Sequence, residues 1–264
     1  MNATLITLTT DFGERDPFVG MMKGAIFGIH PDARVVDLTH GIPSQDIMAA
    51  ALVLQHSAPY FPRGTIHVVV VDPGVGSARR AILIEREGDY LVGPDNGVLS
   101  LALEEKKPRR VVHLSNAVYH LQPTSSTFHG RDIFAPVAAH LARGVSPDSF
   151  GESLNSFVQI PWPKVAKSAR AIEGEIVYID HFGNLFTNIR EADLNEMPAQ
   201  KLTVSAGRVV IQGVTQSYGA SEAGQWVAVI NSWGLLEIAI NRGSAHHRLQ
   251  AQRGDRITVA VSER

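Results

Sequence analysis

The sequence contains no cysteine among its 264 residues. Disulfides, thiolate metal sites and cysteine nucleophiles are therefore excluded, and the composition fits a reducing compartment. An excess of charge of one sign is also missing, because 24 lysines and arginines are balanced by 26 aspartates and glutamates. This balance gives no indication of a surface that binds nucleic acid or another polyanion.

Long apolar segments are missing as well. No segment approaches the roughly 18 apolar residues that a membrane span requires. The N-terminus, MNATLITLTTDFG, lacks the basic start and the apolar core of a signal peptide. We therefore expect a soluble, cytoplasmic protein without a membrane partner. Hydrophobic residues make up 44% of the chain, which is enough to bury the core of one large or two modest domains.

The most informative stretch covers residues 67–80, HVVVVDPGVGSARR. Its four consecutive valines, 68–71, indicate a strand that is buried on both faces, as in the middle of a parallel sheet. Asp72 follows this strand, and Arg79 follows a loop rich in glycine and proline. Because ligands of open α/β sheets bind outside the carboxyl ends of the strands, Asp72 and Arg79 are candidate site residues. Taken alone, Asp-Pro-Gly is more simply explained as a turn.

The first part of the chain alternates between strand and helix patterns. The predicted strands cover 4–10, 35–38, 68–71, 81–85, 90–92 and 111–114, and the predicted helices cover 18–29, 45–55, 96–105 and about 130–143. Ser44 is the predicted N-cap of the second helix. This alternation predicts an α/β fold with a doubly wound, mostly parallel sheet.

The character of the chain changes after residue 151. We assign an α/β domain to residues 1–163 and a linker with scattered small and basic residues to 164–171. Residues 172–264 then form a separate domain of short strands joined by glycine-containing turns. The predicted strands cover 175–180, 202–204, 209–211, 226–231, 235–240 and 256–261. This pattern is typical of a small all-β domain, either a sandwich or a barrel.

Acidic residues recur at the ends of predicted strands: Asp11 and Asp72 in the first domain and Asp180 in the second. Each could be a turn former, but two such residues in one sheet would share a crevice. His129 lies in the motif TFHGRD at the start of a helix, where a solvated loop histidine is the plainer interpretation. A metal site made by Asp11, Asp72 and His129 stays open, because such ligand sets need no local spacing.

Two segments of the second domain, 180–188 and 231–239, combine polar side chains with aromatic ones, and Tyr218 lies in a Gly/Ser loop between them. Each segment alone is explained by β-turns with packed aromatic residues. Together they suggest a surface for a flat heterocycle with polar substituents.

Five motifs in this order resemble one family: TTDFG, D-P-G-V-G-x-x-R, TFHGRD, IDxFGNLxTNI and INSxGxLEIA. They resemble the S-adenosyl-L-methionine (SAM) hydroxide adenosyltransferases, which are adenosine-forming SAM hydrolases related to fluorinase and chlorinase. The resemblance covers essentially the whole chain. It implies a Rossmann-like N-terminal domain, a barrel-like C-terminal domain and a homotrimer with active sites between subunits. It also implies cleavage of SAM by water into adenosine and L-methionine, without a metal or any cofactor.

The resemblance also implies roles for individual residues. The residues that handle water would be Asp72, Arg79 and His129. The residues that contact the substrate would be Asp11 at the ribose, Asp180 and Ser232 at the methionine amine and carboxylate, and Asn184 and Tyr218 at the adenine. Phe186 and Trp233 occupy positions where the fluorinase has Trp and Arg, so the contacts with the far end of methionine differ from that enzyme.

Two further hypotheses compete with the hydrolase. The first is a non-catalytic sensor that binds SAM or adenosine, although such a protein would not need all of Asp72, Arg79 and His129. The second is a metal-dependent hydrolase that uses Asp11, Asp72 and His129. Chromatographic analysis of the products formed from SAM distinguishes these hypotheses most directly.

Overall fold

The structure, a computed structural model, describes residues 4–103, 107–195, 197 and 202–261. The chain divides into two compact units, Met1–Ile160 and Pro161–Arg264. None of the helices in these described ranges is long and apolar enough to cross a membrane.

The first unit contains a six-stranded sheet. Its strands are β1 (Leu5–Thr10), β2 (Arg34–Thr39), β3 (Ile66–Val70), β4 (Ala81–Arg86), β5 (Asp89–Pro94) and β6 (Arg110–His113), in the order β2-β1-β3-β5-β4-β6. The pairings β1–β2, β1–β3 and β3–β5 are parallel, whereas β4 runs antiparallel to β5 and β6. The sheet is therefore mixed, and its antiparallel part begins at the hairpin between β4 and β5.

The valine-rich strand β3 lies inside this sheet between β1 and β5, and all its residues are buried. Helices α1 (Phe18–Ile29) and α3 (Ala135–Ala142) pack against each other. A π-helical turn, Gly130–Phe134, leads directly into α3. Apolar residues of β1 and β3 share one core with these helices, including Phe134, which is fully buried. Burial of such side chains is the main source of the stability of this unit.

Two of the predicted helices differ from the structure. Helix α2 covers Ile47–Ser57 and is capped by Asp46, whose carboxylate accepts a hydrogen bond from the Ala49 amide, so the prediction of Ser44 as the N-cap is wrong. The helix predicted over 96–105 is also wrong, since only a short 3-10 turn forms at Leu101–Leu103, and residues 104 and 105 lie outside the described ranges. The side chain of Asn96 bonds instead to the Val71 carbonyl and the Val98 amide, which fixes a turn.

The second unit contains a single antiparallel sheet. Its strands are β7 (Ala166–Lys167), β8 (Ala171–Ile179), β9 (Leu185–Arg190), β10 (Leu202–Ala206), β11 (Val209–Gln212), β12 (Trp226–Ile230), β13 (Leu235–Ile240) and β14 (Arg256–Val261). Their order is β11-β10-β14-β8-β9-β13-β12, with β7 paired to β8. A bridge between Thr215, after β11, and Val229 of β12 brings the two ends of the sheet together, so the sheet is nearly closed and barrel-like.

Several elements of this unit were not predicted. Strand β7 lies in the segment that was predicted as a linker, and the helices α4 (Glu191–Leu194) and α5 (Ala245–Leu249) are short. Strand β9 does not show the hydrophobic pattern of a buried strand, because two of its buried residues, Thr187 and Asn188, are polar. The Thr187 hydroxyl donates to the Leu236 carbonyl, and the Asn188 side chain bonds to the Pro163 carbonyl and the Glu175 amide, so burial of these polar groups costs little.

Candidate active site

A crevice opens in the first unit where β1 and β3 end. These strands are parallel neighbours, and Thr10 pairs with Val70 at their carboxyl ends. Asp11 and Asp72, which follow the strands, therefore lie at the same edge of the sheet, and both line a crevice of about 690 Å³. The expectation that the two acidic residues share one crevice is confirmed for these positions.

The loop after Asp72 folds back so that Arg79 meets the aspartate. Its turns are closed by hydrogen bonds from the Val75 amide to the Asp72 carbonyl (3.2 Å) and from the Ser77 amide to the Gly74 carbonyl (3.1 Å). The Arg79 Nε donates to Asp72 Oδ1 at 2.9 Å, and its Nη2 donates to Oδ2. The side chains of Asp72 and Arg79 are only 5% and 10% exposed, so solvent screens this ion pair weakly.

His129 reaches the same guanidinium from a different part of the chain. It directly precedes the π-helical turn, and its Nδ1 lies 2.6 Å from Arg79 Nη2. Burial and the positive charge of Arg79 lower the pKa of His129, and these effects outweigh the carboxylates of Asp72 and Asp132, which raise it. The loop that carries His129 is held by buried Asp132, whose carboxylate accepts from the Ser125 amide at 2.9 Å.

Asp11 lines the crevice and lies in a turn that is held by two hydrogen bonds. The Gly13 amide donates to the His40 carbonyl at 2.8 Å, and the Gln45 amide donates to Asp11 Oδ2 at 2.8 Å. Gln45 has a φ of 65°, which is a costly backbone conformation for a residue with a side chain. Gln45 also lines the crevice. Its contact with Asp11 is made by the backbone amide, so no local feature of the sequence predicts it.

An aromatic wall completes the crevice. The rings of Phe12, Phe18 and Phe128 contact one another edge to face, with centroids 5.3–5.8 Å apart. These residues were missed as site residues, although Phe12 and Phe128 stand next to Asp11 and His129 in the motifs. The wall provides an apolar surface beside the charged groups.

In the second unit, Asp180 and Asn184 lie at the turn between β8 and β9. The backbone amide of Asn184 donates to Asp180 Oδ1 at 2.8 Å, and its side-chain Nδ2 donates to Oδ2 at 2.9 Å. Asn184 and Tyr218 line a second cleft together with Phe182 and Arg242. The structure thus brings together three of the residues predicted for substrate binding in this unit.

A buried carboxylate that sequence reasoning missed lies behind this cleft. Glu237 of β13 is 0% exposed, and its Oε1 accepts a hydrogen bond from the Tyr218 hydroxyl at 2.7 Å. Burial raises the pKa of Glu237, against the opposing effect of its bonds to Tyr218 and Asn231. Burial and the bond to Glu237 raise the pKa of Tyr218. The only signal in the sequence is a charged residue inside an otherwise apolar strand, LLEIAI.

The remaining predicted residues lie near the turn between β12 and β13. Phe186 and Trp233 pack against each other with ring centroids 4.9 Å apart, and Tyr178 contacts both rings. Ser232 is exposed in the turn itself, whose shape is fixed by the Asn231 side chain accepting from the Trp233 amide at 2.9 Å.

The predicted residues therefore divide between the two units, and in the second unit the cleft of Asn184 and Tyr218 and the ring pair of Phe186 and Trp233 form separate features. The first group, in the first unit, contains Asp11, Asp72, Arg79 and His129, and the second group, in the second unit, contains Asp180, Asn184, Phe186, Tyr218, Ser232 and Trp233. Across the described ranges, no group of three or more histidine, aspartate or glutamate residues is arranged to hold a metal ion. In the first group, a guanidinium already occupies the position between Asp72 and His129.

Comparison with known proteins gives matches along both units. Residues 6–151 match the family model of the SAM hydroxide adenosyltransferase N-terminal domain, and residues 174–258 match that of the SAM hydroxide adenosyltransferase C-terminal domain. The matched ranges together cover most of the chain.

Individual relatives and structures agree with the family models. The chain is 39% identical over 256 residues to a Thermus thermophilus protein named (R)-S-adenosyl-L-methionine hydrolase, a match that covers 93% of this chain and 95% of that protein. It is 28% identical over 290 residues to a fluorinase of Actinoplanes sp., with 97% of each chain covered. The crystal structure of an uncharacterized conserved protein from Thermotoga maritima is similar with a TM-score of 0.90 at 35% identity, covering 97% of this chain and 99% of that one. The chain therefore belongs to the SAM hydroxide adenosyltransferase family.

Proposed function

We propose that this protein hydrolyses S-adenosyl-L-methionine by attack of water on the ribose C5′, giving adenosine and L-methionine. The observation that carries the proposal is the hydrogen-bonded set of Asp72, Arg79 and His129, because Asp72 and His129 line one crevice together with Asp11. The hydrolase named among the relatives is 39% identical to this chain, whereas the fluorinase is 28% identical, which favours water over a halide as the nucleophile.

The chemistry of the substrate explains what such a site must supply. The sulfonium of SAM leaves as a neutral thioether, so the reaction needs no acid to protonate the leaving atom. It needs a water molecule that is aligned with C5′ and can lose a proton. We propose that Asp72 orients this water, that Arg79 holds Asp72 in place, and that His129 contacts the water from the other side. The apolar wall of Phe12, Phe18 and Phe128 would reduce hydration of the reacting charges.

We assign the substrate contacts as the family motifs imply. Asp11 would bind the ribose hydroxyls, and Asn184 and Tyr218 would bind the adenine. The methionine end of the substrate would be contacted by Asp180, Phe186, Ser232 and Trp233. The aromatic contact of Phe186 with Trp233 supports an apolar surface at the end of the substrate where the fluorinase has an arginine.

We further propose a Rossmann-like nucleoside-binding role for the first unit, and a homotrimer whose active sites form between subunits. The crevice at the ends of the parallel strands β1 and β3 supports the first proposal. The second is supported by the family motifs and by the two groups of predicted residues, which belong to different units of the chain.

We also propose that no metal ion or other cofactor takes part. Both oxygens of Asp72 accept hydrogen bonds from Arg79, and the positive guanidinium would repel a cation bound to this carboxylate. Turnover should accordingly survive exhaustive chelation. Loss of activity that is restored by one divalent metal would instead support a metal-activated water.

The proposed function is tested by incubating the purified protein with SAM in oxygen-18 water. We expect adenosine and methionine in equal amounts, with the label in the 5′-hydroxyl of adenosine, and no halogenated nucleoside when chloride is present. Methylthioadenosine and homoserine lactone as products would contradict attack at C5′. Binding of SAM without any turnover would indicate a sensor.

A further inference from the structure

The contact between Arg79 and His129 determines which nitrogen of the imidazole carries the proton. Arg79 Nη2 lies 2.6 Å from His129 Nδ1. A guanidinium has only N–H donors and stays protonated in proteins, so Nδ1 must accept and cannot carry a proton. The proton of the neutral ring is therefore on Nε2.

We propose that His129 acts in this site as a hydrogen-bond donor through Nε2–H, and that Asp72, not His129, accepts the proton of the attacking water. The inference rests on the proposed SAM hydrolysis and assigns the proton acceptor within it. It differs from a proton relay through His129, for which the imidazole would need a free lone pair directed at the water.

The surroundings of His129 agree with a neutral donor. A doubly protonated ring would direct Nδ1–H at an N–H group of Arg79, and two donors at this distance repel each other. Within the described part of the chain no protein group accepts a hydrogen bond from Nε2, and His129 lines the crevice. Its Nε2–H is therefore available to a water molecule or hydroxide there.

Asp72 can accept a further hydrogen bond from the attacking water. Each of its two oxygens accepts one N–H from Arg79, and each carboxylate oxygen has a second lone pair. A water that donates to Asp72 and accepts from the Nε2–H of His129 is held by two bonds, which leaves an oxygen lone pair for C5′. Arg79 contacts both Asp72 and His129 and so fixes the distance between these two side chains.

The resulting step balances. The water oxygen forms a bond to C5′ while the C5′–S bond breaks and its electron pair stays on sulfur, which gives neutral methionine. One proton of the water moves to the Asp72 carboxylate and from there to solvent, so the site returns to its starting state. A carboxylate is in general a weak base, but the departing thioether needs no proton, so a late transfer to a weak base is sufficient.

The experiment compares His129→Gln with His129→Leu. A glutamine can accept from Arg79 through its carbonyl and donate to water through its amide, but it cannot take up a proton near neutral pH. We expect His129→Gln to keep kcat within about tenfold of the wild type, and His129→Leu to lose on the order of 10²-fold. An equal loss of 10²-fold or more in both folded variants would identify His129 as the base and overturn the inference.

A measurement on the wild type keeps the inference testable if the variants do not fold. Nitrogen-15 spectra of the histidine-labelled protein near pH 7 should show the His129 ring with a proton on Nε2 and none on Nδ1. A proton on Nδ1 would overturn the inference. Turnover of SAM by the same wild-type sample tests the proposed function separately, so the two failures are distinguishable.

Discussion

Asp72 is the residue on which the proposed chemistry depends most. It is 5% exposed as a side chain, and Arg79 contacts both of its oxygens. In Asp72→Asn the shape stays nearly the same, but the amide donates where the carboxylate accepted, and the negative charge facing the sulfonium is lost. We expect kcat to fall by on the order of 10²-fold or more, with SAM affinity within about tenfold. Steady-state kinetics together with calorimetric binding separates the two effects.

A matched control for Asp72→Asn is Asp95→Asn. Asp95 is also buried and also pairs with an arginine, Arg80, but it lies outside the crevice lining. This control should lower thermal stability and leave kcat nearly unchanged. Wild-type turnover in Asp72→Asn would remove Asp72 from the mechanism.

His67 links the stability of the first unit to pH. His67 is a residue of β3 and is 1% exposed, and its Nδ1 lies 2.8 Å from the hydroxyl of Thr7 on the neighbouring strand β1. Burial, with a smaller effect from Arg86, lowers its pKa from 6.5 to about 4. The unfolded chain therefore binds a proton below pH 6.5 while the folded chain does not, so the free energy of unfolding falls as the pH drops towards 4. The loss is on the order of 3 kcal/mol.

This pH dependence can be measured by urea unfolding followed by circular dichroism, because α1, α2 and α3 all belong to the first unit. The three tryptophans, 162, 226 and 233, lie in the second unit and are unsuitable as probes. A His67→Gln variant has no titrating ring and should lose this part of the pH dependence. An identical pH dependence in both proteins would show that other groups cause it.

The loop between β3 and β4 is the element that assembles the crevice. Its residue Gly76 has a φ of 77°, and a Cβ atom at this position would lie 2.3 Å from the carbonyl oxygen of Ser126. The close approach joins the loop that carries Arg79 to the segment that carries His129. We expect Gly76→Ala to separate these loops, to destabilise the protein by about 1–3 kcal/mol through backbone strain alone, and to lower kcat.

Gly254→Ala separates the effect of strain from that of the clash. Gly254 has a φ of 86° in the second unit, and nothing lies within 4 Å of a Cβ atom placed there. The Gly254→Ala variant should therefore lower the melting temperature without changing kcat. Wild-type kcat and melting temperature in Gly76→Ala would contradict this prediction. They would show that the site tolerates a separation of the two loops.

At the scale of the whole molecule, the proposed trimer predicts complementation. Asp72→Ala removes a residue of the first group, and the double variant Asp180→Ala and Ser232→Ala removes two of the second. Each variant alone should be inactive. If each active site combines the first unit of one subunit with the second unit of another, mixed trimers should contain some sites with all residues intact and recover part of the activity.

The complementation experiment depends on verified mixed assemblies. Refolding the two variants together and confirming hetero-oligomers by native mass spectrometry provides them, and each variant refolded alone is the control. No recovery of activity in such assemblies would mean that each chain builds its own site. A protein that stays monomeric at the assay concentration but turns over SAM would contradict the trimer itself.

Much of the fold could be predicted from local patterns. The β-branched run 68–71 predicted β3, and helical spacing of apolar residues predicted α1. Strand β9 and the turn at Asn96 could not be predicted in this way. Their conformations depend on hydrogen bonds between side chains and distant backbone groups, such as Asn96 with the Val71 carbonyl, and periodicity carries no record of these bonds.

The sequence by itself determined the alternating first part, the β-rich second part and, through its ordered motifs, the candidate residues. Only the tertiary structure decided which neighbours these residues have. Arg79 and Arg80 are adjacent and chemically identical, yet the turns after Asp72 direct Arg79 to Asp72 and His129, while Arg80 pairs with Asp95. His129 lies 50 positions from Arg79 along the chain. Local patterns record propensity and burial, whereas the partner of a charged side chain is set by distances that exist only after the chain has folded.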